Sequence, residues 1–187
     1  QGALIGTSSL RRKAQLLAYR PDLKIVNLRG NLTTRLSKLK DEELRLSAIV
    51  VAFAGLKRLG MESELSEILD YSISLPAVGQ GSLGIEIRED NMKAKKLAEC
   101  IDHEPSRLAV SAERAFLKGL GGGCQVPIGA IGEIKDERLK LKGIVISEDG
   151  KDVIKGEISG DKFKPEEIGR KLAEDLLSRG AKGLLAV

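Results

Sequence analysis

Aromatic residues, cysteine and histidine are all scarce in this chain of 187 residues. Aromatic side chains make up 3% of it and Trp is absent, which argues against a platform on which nucleic-acid bases stack. Two cysteines, Cys100 and Cys124, form neither a disulfide framework nor a metal cluster, and the one histidine, His103, offers little for metal binding or proton relay. No apolar run is long enough to span a bilayer. We therefore expect a reducing, cytoplasmic setting, with no metal and with neither membrane nor nucleic acid as a partner.

The charge balance is mildly basic and the hydrophobic content is ordinary. Hydrophobic residues make up 42% of the chain and charged residues 31%, and the net charge is +4. This composition supports a real core and one or two domains. A small excess of Lys and Arg permits an anionic partner without demanding nucleic acid.

The first junction between a strand and a helix carries two arginines. Residues 3–5 read as a short buried strand, and residues 6–9 turn it into a helix that offers a hydroxyl as its N-cap. Arg11 and Arg12 occupy the first turn, where cations oppose the positive end of the helix dipole. Amides, hydroxyls and guanidinium groups therefore converge there, which favours a bound anion. Two solvated arginines on a helix surface remain the alternative.

A second junction repeats this arrangement. Residues 24–28 read as a strand, and Asn31 is the expected cap of the helix that follows. Arg29 and Arg35 flank the start of that helix. Because ligands bind at the carboxyl ends of strands in open α/β sheets, the two junctions together predict a binding edge.

A third apolar run, residues 47–52, reads as a strand covered by helices on both faces. The helical turn after it places Arg58 either at the same edge or at an ordinary basic helix end, which the dipole favours. Planar, bidentate geometry is what Arg adds over Lys, and carboxylates and phosphates exploit it. The sequence thus predicts a polyanion-binding edge.

The middle of the chain changes character. Residues 73–81 lack periodicity, and their Pro and Gly residues suggest a crossover segment or hinge. A strand at 83–87 and an amphipathic helix at 91–101 follow, with Cys100 expected in the core. We expect His103 to cap the next helix or to lie on the surface.

The last part reads as a small α+β unit around a glycine-cysteine loop. A helix runs from Pro105 to about Gly119, and three glycines then precede Cys124. Such a loop suits a nucleophile or a covalent attachment point, although a helix stop followed by an inert cysteine has the same pattern. Three antiparallel strands at 128–134, 139–147 and 152–159 and a helix from Pro165 complete the unit.

Six blocks of sequence resemble the porphobilinogen deaminase (hydroxymethylbilane synthase) family. In chain order they are IGTSSLRR at 5–12, LRGN at 28–31 with TRL at 34–36, AGLKRLG at 54–60, LPAVGQG at 75–81, AERA at 112–115 and GGCQVP at 122–127. They cover nearly the whole chain, and together they are highly specific.

The resemblance implies a transferase of tetrapyrrole (haem) biosynthesis that joins four porphobilinogen units head to tail with loss of ammonia. It implies that Cys124 carries a dipyrromethane cofactor through a thioether, so that the thiol of the glycine loop is an attachment point. It also assigns the binding residues: for the cofactor Ser9, Arg11, Arg12, Arg29, Gly30 and Arg35, and for the substrate Arg35, Arg58 and Gln80.

The resemblance further implies a fold and a division of the chain. We expect most of an α/β domain similar to periplasmic binding proteins at 1–75, a crossover and shared segment at 76–103, and an α+β domain with a three-stranded antiparallel sheet packed on helices at 104–187. Family members carry a further N-terminal segment with the catalytic aspartate, so no catalytic residue is expected here. We expect this chain alone to be inactive and the full-length form to be a monomer.

Three other functions stay open on the residues alone. A hinged carboxylate- or anion-binding module shares this α/β style. A hydrolase that uses Cys124 would need a partnered histidine. A nucleic-acid binder would show a steep dependence of affinity on salt.

Overall fold

Two small sheets, one parallel and one antiparallel, organise the chain in the computed structural model, which describes residues 1–122 and 127–185. The elements of the first part are β1 (Leu4–Gly6), α1 (Leu10–Tyr19), β2 (Lys24–Val26), α2 (Leu32–Leu39), β3 (Ala48–Ile49), α3 (Phe53–Arg58) and α4 (Met92–Glu99). Those of the second part are α5 (Glu104–Gly119), β4 (Ile128–Lys135), β5 (Arg138–Ile146), β6 (Val153–Asp161), α6 (Pro165–Leu176) and α7 (Lys182–Leu185).

The parallel sheet has the order β2-β1-β3, with β1 in the centre. Ile5 of β1 lies opposite Ile25 on one side and Ala48 on the other. The α/β arrangement predicted for this part is confirmed, but its second and third strands are shorter than predicted. The prediction that helices cover both faces of β3 is wrong for the described residues, because Ala48 is exposed. Since β1 is central, the loop after it opens at the middle of the sheet edge.

The strand predicted at 83–87 is absent from the structure. Leu83 is 82% exposed and Ile85 56% exposed, and neither pairs with a described strand. A strand needs a neighbour that satisfies its backbone N–H and C=O groups, and alternating apolar residues do not supply one. The helix predicted next to it is confirmed as α4, yet Cys100 at its end is exposed rather than in the core. That prediction fails because no residue of α4 is buried.

The antiparallel sheet has the order β4-β5-β6 and is covered on one face by α5 and α6. Phe116 of α5, Leu141 of β5 and Leu172 of α6 lie in one core cluster, each at most 1% exposed. A side-chain carbon placed at Gly143 would come within 2.5 Å of the Phe116 ring, so the glycine makes room for that ring. The α+β prediction for this part is confirmed, as is the cap at His103, whose ring Nδ1 accepts a hydrogen bond from the backbone N–H of Ser106.

The other face of the antiparallel sheet receives α1. Ala14 of α1 and Leu75 pack with Ile144 and Ile146 of β5 in a second, smaller core cluster. At Gly150, in the β5–β6 hairpin, an added side-chain carbon would lie 2.6 Å from the carbonyl oxygen of Ala14. The helix that carries the first two arginines therefore follows the central strand of the parallel sheet and packs against the antiparallel sheet. Among the described helices, none combines the length and the apolar character needed to cross a bilayer.

Candidate functional site: an arginine-bearing sheet edge

The loop between β1 and α1 is fixed by three hydrogen bonds. The backbone N–H of Thr7 donates to the carbonyl of Val26 over 2.9 Å, and the Ser8 hydroxyl donates to the carbonyl of Leu28 over 2.7 Å. The Ser9 hydroxyl accepts from the backbone N–H of Arg12 over 3.4 Å and so caps α1. These contacts fix the first turn of the helix at the carboxyl end of the central strand.

Arg11 and Arg12 leave this first turn in partly buried positions. The Nη1 of Arg12 donates to the carbonyl of Val50 over 3.0 Å. Arg11 donates through Nη1 to the carbonyl of Leu75, and through Nη2 to Oε1 of Gln80 over 3.2 Å. Each guanidinium is thus held by backbone or amide oxygens, and part of its donor capacity stays available.

Burial and like charge act together on these two groups. Desolvation, and after it the neighbouring charge of Arg12, together lower the pKa of Arg11 to about 10. Desolvation also lowers the pKa of Arg12, and here the second cause is the charge of Arg35. The guanidinium group of Arg12 therefore lies within electrostatic range of both Arg11 and Arg35. An anion between them would relieve this repulsion.

The start of α2 supplies Arg35. Oδ1 of Asn31 accepts from the backbone N–H of Thr34 over 2.8 Å, which is the expected N-cap. The Nε of Arg35 donates to the carbonyl of Gly30 over 2.8 Å. Gly30 has a φ of 123°, and a side-chain carbon there would lie 2.8 Å from Thr34, so a larger residue does not fit. Arg29 is exposed beside this turn.

Arg58 is one predicted site residue that the described contacts do not bring to the arginine edge. Arg58 is exposed in the last turn of α3, at the end of that helix where the dipole favours a cation. No hydrogen bond or ion pair between described residues ties Arg58 to the arginine edge. Cys124 lies outside the described residues. Gln80, by contrast, comes to the edge directly through its contact with Arg11.

Pro127, three positions after Cys124, lies beside the strand that contacts α1. Its carbonyl accepts from the backbone N–H of Ile146 over 3.2 Å, and Ile146 packs against Ala14. Pro127, the first described residue after Cys124 in the sequence, therefore bonds to a residue that packs on the helix of Arg11 and Arg12.

Sequence reasoning missed two buried polar residues, one on α1 and one on α5. Gln15 of α1 is buried, and its side-chain amide both accepts from Leu75 N over 2.7 Å and donates to Leu75 O over 3.1 Å. Glu113 of α5 is buried too, and it accepts from the backbone N–H groups of Gly79 and Gly132. A signal existed for both, because each is a polar residue inside an otherwise apolar helix face.

No described carboxylate lies within ion-pairing distance of any of the five arginines predicted at the site. By contrast, Arg20 pairs with Asp22 and Arg107 with Asp102 elsewhere in the same chain. Two surface clefts, of about 500 and 360 Å³, lie on the α+β part and at its contact with α1, and no arginine lines either one. The edge is an open, cationic surface with bidentate donors, suited to a ligand that carries several carboxylates or phosphates.

Comparisons with family models and with curated proteins all lead to the same family. Residues 1–96 match the family model described as porphobilinogen deaminase, dipyromethane cofactor binding domain, and residues 107–178 match the one described as porphobilinogen deaminase, C-terminal domain. A porphobilinogen deaminase of Carboxydothermus hydrogenoformans is 56% identical over 185 residues, which are 99% of this chain and 59% of that protein. Those of Pelotomaculum thermopropionicum and Moorella thermoacetica are 52% and 51% identical, over 98% of this chain and 58% of theirs. The chain thus spans less than two thirds of the length of these relatives.

Proposed function

The chain belongs to the porphobilinogen deaminase family, and on that premise we propose that its arginine edge binds the acetate and propionate groups of a pyrrole chain built from porphobilinogen. Each pyrrole unit brings two carboxylates, so a growing chain is a polyanion that needs several bidentate partners. The whole protein, in this proposal, is a transferase of tetrapyrrole biosynthesis that condenses four porphobilinogen molecules to hydroxymethylbilane with release of ammonia.

One observation carries the proposal: Arg12 lies within electrostatic range of both Arg11 and Arg35, and no described carboxylate forms an ion pair with any of the three. Burial lowers the pKa of both Arg11 and Arg12. A like-charged neighbour lowers each pKa further in the same direction, namely Arg12 for Arg11 and Arg35 for Arg12. Like charges at close range raise the free energy of the ligand-free protein, and a carboxylate placed between them lowers it. The arrangement of the guanidinium groups therefore favours a bound polyanion, although it destabilises the ligand-free protein.

The dipyrromethane cofactor fits the same residues. The group carries four carboxylates, and the edge offers guanidinium donors that no described acid neutralises. When bound through Cys124, it supplies the pyrrole end to which each porphobilinogen is joined. The chain's own part is to bind and orient: Arg11, Arg12, Arg29 and Arg35 hold carboxylates of the cofactor and Arg35 and Arg58 those of the substrate, beside Ser9, Gly30 and Gln80.

The contact between Pro127 and β5 supports a tether at Cys124. Pro127 bonds to Ile146, and Ile146 packs on the helix of Arg11 and Arg12. Cys124 precedes Pro127 by three positions, and an extended residue spans at most about 3.3–3.6 Å, so the proposed tether needs only a short length of chain beyond Pro127. We further propose that residues 1–75 belong to a domain similar to periplasmic binding proteins, 76–103 to a crossover segment, and 104–187 to the cysteine-bearing domain.

Calorimetric titration of the chain with porphobilinogen tests the binding role. Arg12→Lys keeps the charge but loses the bidentate geometry, and Arg170→Lys, on an exposed position of α6, is the matched control. A hydrogen bond to a charged group contributes about 1.5–3 kcal/mol, so we expect Arg12→Lys to weaken binding about tenfold or more. Equal affinities of wild type and Arg12→Lys, or an equal loss in the control, would remove the edge as the binding site.

Intact mass separates the enzyme from a binding module without catalysis. A mass gain of the size of a dipyrromethane, confined to the peptide that contains Cys124, identifies a covalent carrier. The same measurement is made on the chain joined to the remaining segment that family members carry. If that protein binds porphobilinogen reversibly and gains no mass, the hinged anion-binding module remains as the function.

A further inference from the structure

Glu113 connects three parts of the molecule through one buried carboxylate. It lies in the middle of α5 and is 6% exposed. Its Oε2 accepts from the backbone N–H of Gly79 over 2.6 Å, and its Oε1 accepts from that of Gly132 over 2.8 Å. Desolvation raises the pKa of this carboxyl group, while the two N–H donors act in the opposite direction. The two hydrogen bonds therefore offset part of the free-energy cost of burying this carboxylate.

Both donors to Glu113 are backbone N–H groups, and they belong to different parts of the chain. Gly132 belongs to β4, an outer strand of the antiparallel sheet, and along the same strand the backbone N–H of Ala130 donates to the carbonyl of Pro76 over 3.1 Å. A side-chain carbon at Gly132 would lie 2.9 Å from the carbonyl oxygen of Ala109, so β4 approaches α5 closely at this point. Gly79 belongs to the crossover segment between the two parts of the chain. Glu113 therefore fixes that segment to the α+β part.

The residue after Gly79 carries the connection to the arginine edge. Oε1 of Gln80 accepts from Nη2 of Arg11 over 3.2 Å and from the backbone N–H of Ala77 over 3.1 Å. The Nη1 of Arg11 donates to the carbonyl of Leu75, the residue directly before the crossover segment. The crossover segment thus contacts α5 on one side and the guanidinium of Arg11 on the other.

We infer that Glu113 is a positioning residue for the arginine edge: by holding Gly79 it holds the Gln80 amide against Arg11, and so fixes the plane of that guanidinium for a carboxylate. This inference rests on the proposed function. A guanidinium held at two nitrogens keeps one orientation before the ligand arrives, and the ligand then has less side-chain freedom to remove. Glu113 does not touch the ligand itself.

The test compares Glu113→Gln with Glu133→Gln, a matched change at an exposed position of β4. In Glu113→Gln an amide N–H₂ faces one of the two backbone donors, so one of the two bonds is lost. Nuclear magnetic resonance gives the first readout, the exchange rates of the Gly79 amide and of the Arg11 side-chain N–H protons. We expect both to rise in Glu113→Gln and to stay unchanged in Glu133→Gln. A residue that only supports the fold of the α+β part would leave the Arg11 protons as they are, and that result would overturn the inference.

Porphobilinogen affinity gives the second readout through a double-mutant cycle. Gln80→Ala changes an exposed side chain, and we expect it and Glu113→Gln each to weaken binding about three- to tenfold, the size expected when one side chain must be ordered on binding. The double variant should lose no more than the larger single loss, because Glu113 acts through Gln80. Additive losses would overturn the inference. If Glu113→Gln does not fold, Glu113→Asp, which keeps the charge but shortens the reach, takes its place with the same expectations.

The two readouts keep this inference separate from the proposed function. Absence of porphobilinogen binding in the wild-type chain would count against the proposed function alone. The exchange rates of Gly79 and Arg11 would still decide whether Glu113 positions the arginine.

Discussion

Replacing Gly150 by Ala tests whether the hairpin between β5 and β6 fixes the arginine-bearing helix. Gly150 has a φ of 75°, and a side-chain carbon there would lie 2.6 Å from the carbonyl oxygen of Ala14 and 2.7 Å from the backbone nitrogen of Ala18. Both neighbours are backbone atoms of α1, which a rotamer change does not move aside. Gly150→Ala therefore has to displace α1 from the sheet or distort the hairpin.

Two effects add up in this variant, and a control separates them. The positive φ costs an alanine about 1–2 kcal/mol, and forcing an extra methyl group into a packed contact costs about 1–3 kcal/mol. Gly60 has a φ of 66° with no atom within 4 Å of an added side-chain carbon, so Gly60→Ala carries only the first cost. We expect Gly150→Ala to lose about 1–3 kcal/mol more than Gly60→Ala.

Urea unfolding followed by circular dichroism measures this difference. With a slope of about 2 kcal/mol per molar, the extra loss corresponds to a midpoint lower by roughly 0.5–1.5 M. Hydrogen exchange should show the loss of protection in the turn of α1 that contains Ala14 and Ala18. Equal midpoints for the two variants would refute the close contact between the hairpin and α1.

Three further predictions concern stability. Phe116→Ala removes a fully buried ring from the larger core cluster and should lower the free energy of unfolding by about 3–5 kcal/mol; a loss below about 1 kcal/mol in urea unfolding would contradict that packing. Asn31→Ala removes the cap of α2 and should cost about 1 kcal/mol, with Ser37→Ala on the same helix as the control, and an unchanged midpoint would show that the cap is not needed. The Ser147 hydroxyl, followed by the backbone N–H of Lys151, lowers the pKa of Asp149 from 3.8 to about 2, so this group stabilises the fold above about pH 4 and the effect is lost as pH falls towards 2. Asp149→Asn should therefore show a smaller drop in thermal midpoint over that pH range than wild type, and parallel curves would speak against the assignment.

Local signals in the sequence predicted local structure well. The caps at Ser9, Asn31 and His103 each depend on a side chain and on the amide three residues later, so the information lies within a few residues of sequence. The two junctions that carry arginines follow from the same logic, because parallel strands bring their carboxyl ends to one edge. The nearness of Arg12 and Arg35 was foreseeable for that reason.

Structural features that depend on residues far away in the chain could not be predicted from the sequence pattern. The alternation at 83–87 resembles a strand, but a strand forms only where a neighbour offers hydrogen bonds, and the sequence does not contain that neighbour's position. Cys100 has apolar neighbours in sequence, yet its helix contacts no core. The bonds from Gln15 to Leu75 and from Glu113 to Gly79 cross 60 and 34 positions of the chain, and no spacing rule reaches that far.

Because α1 follows the parallel sheet in sequence and packs on the antiparallel sheet, it constrains any rotation of one sheet against the other. Ala14 packs with Ile144 and Ile146 of the antiparallel sheet, while the same helix follows directly from the central parallel strand. A rotation must either separate Ala14 from Ile146 or carry α1 along with the antiparallel sheet. In the second case Arg11 and Arg12 travel with it and Arg35 on α2 does not. The gap between the pair and the third guanidinium would then widen or narrow with the angle, and the length of polyanion that the proposed site accommodates would change with it.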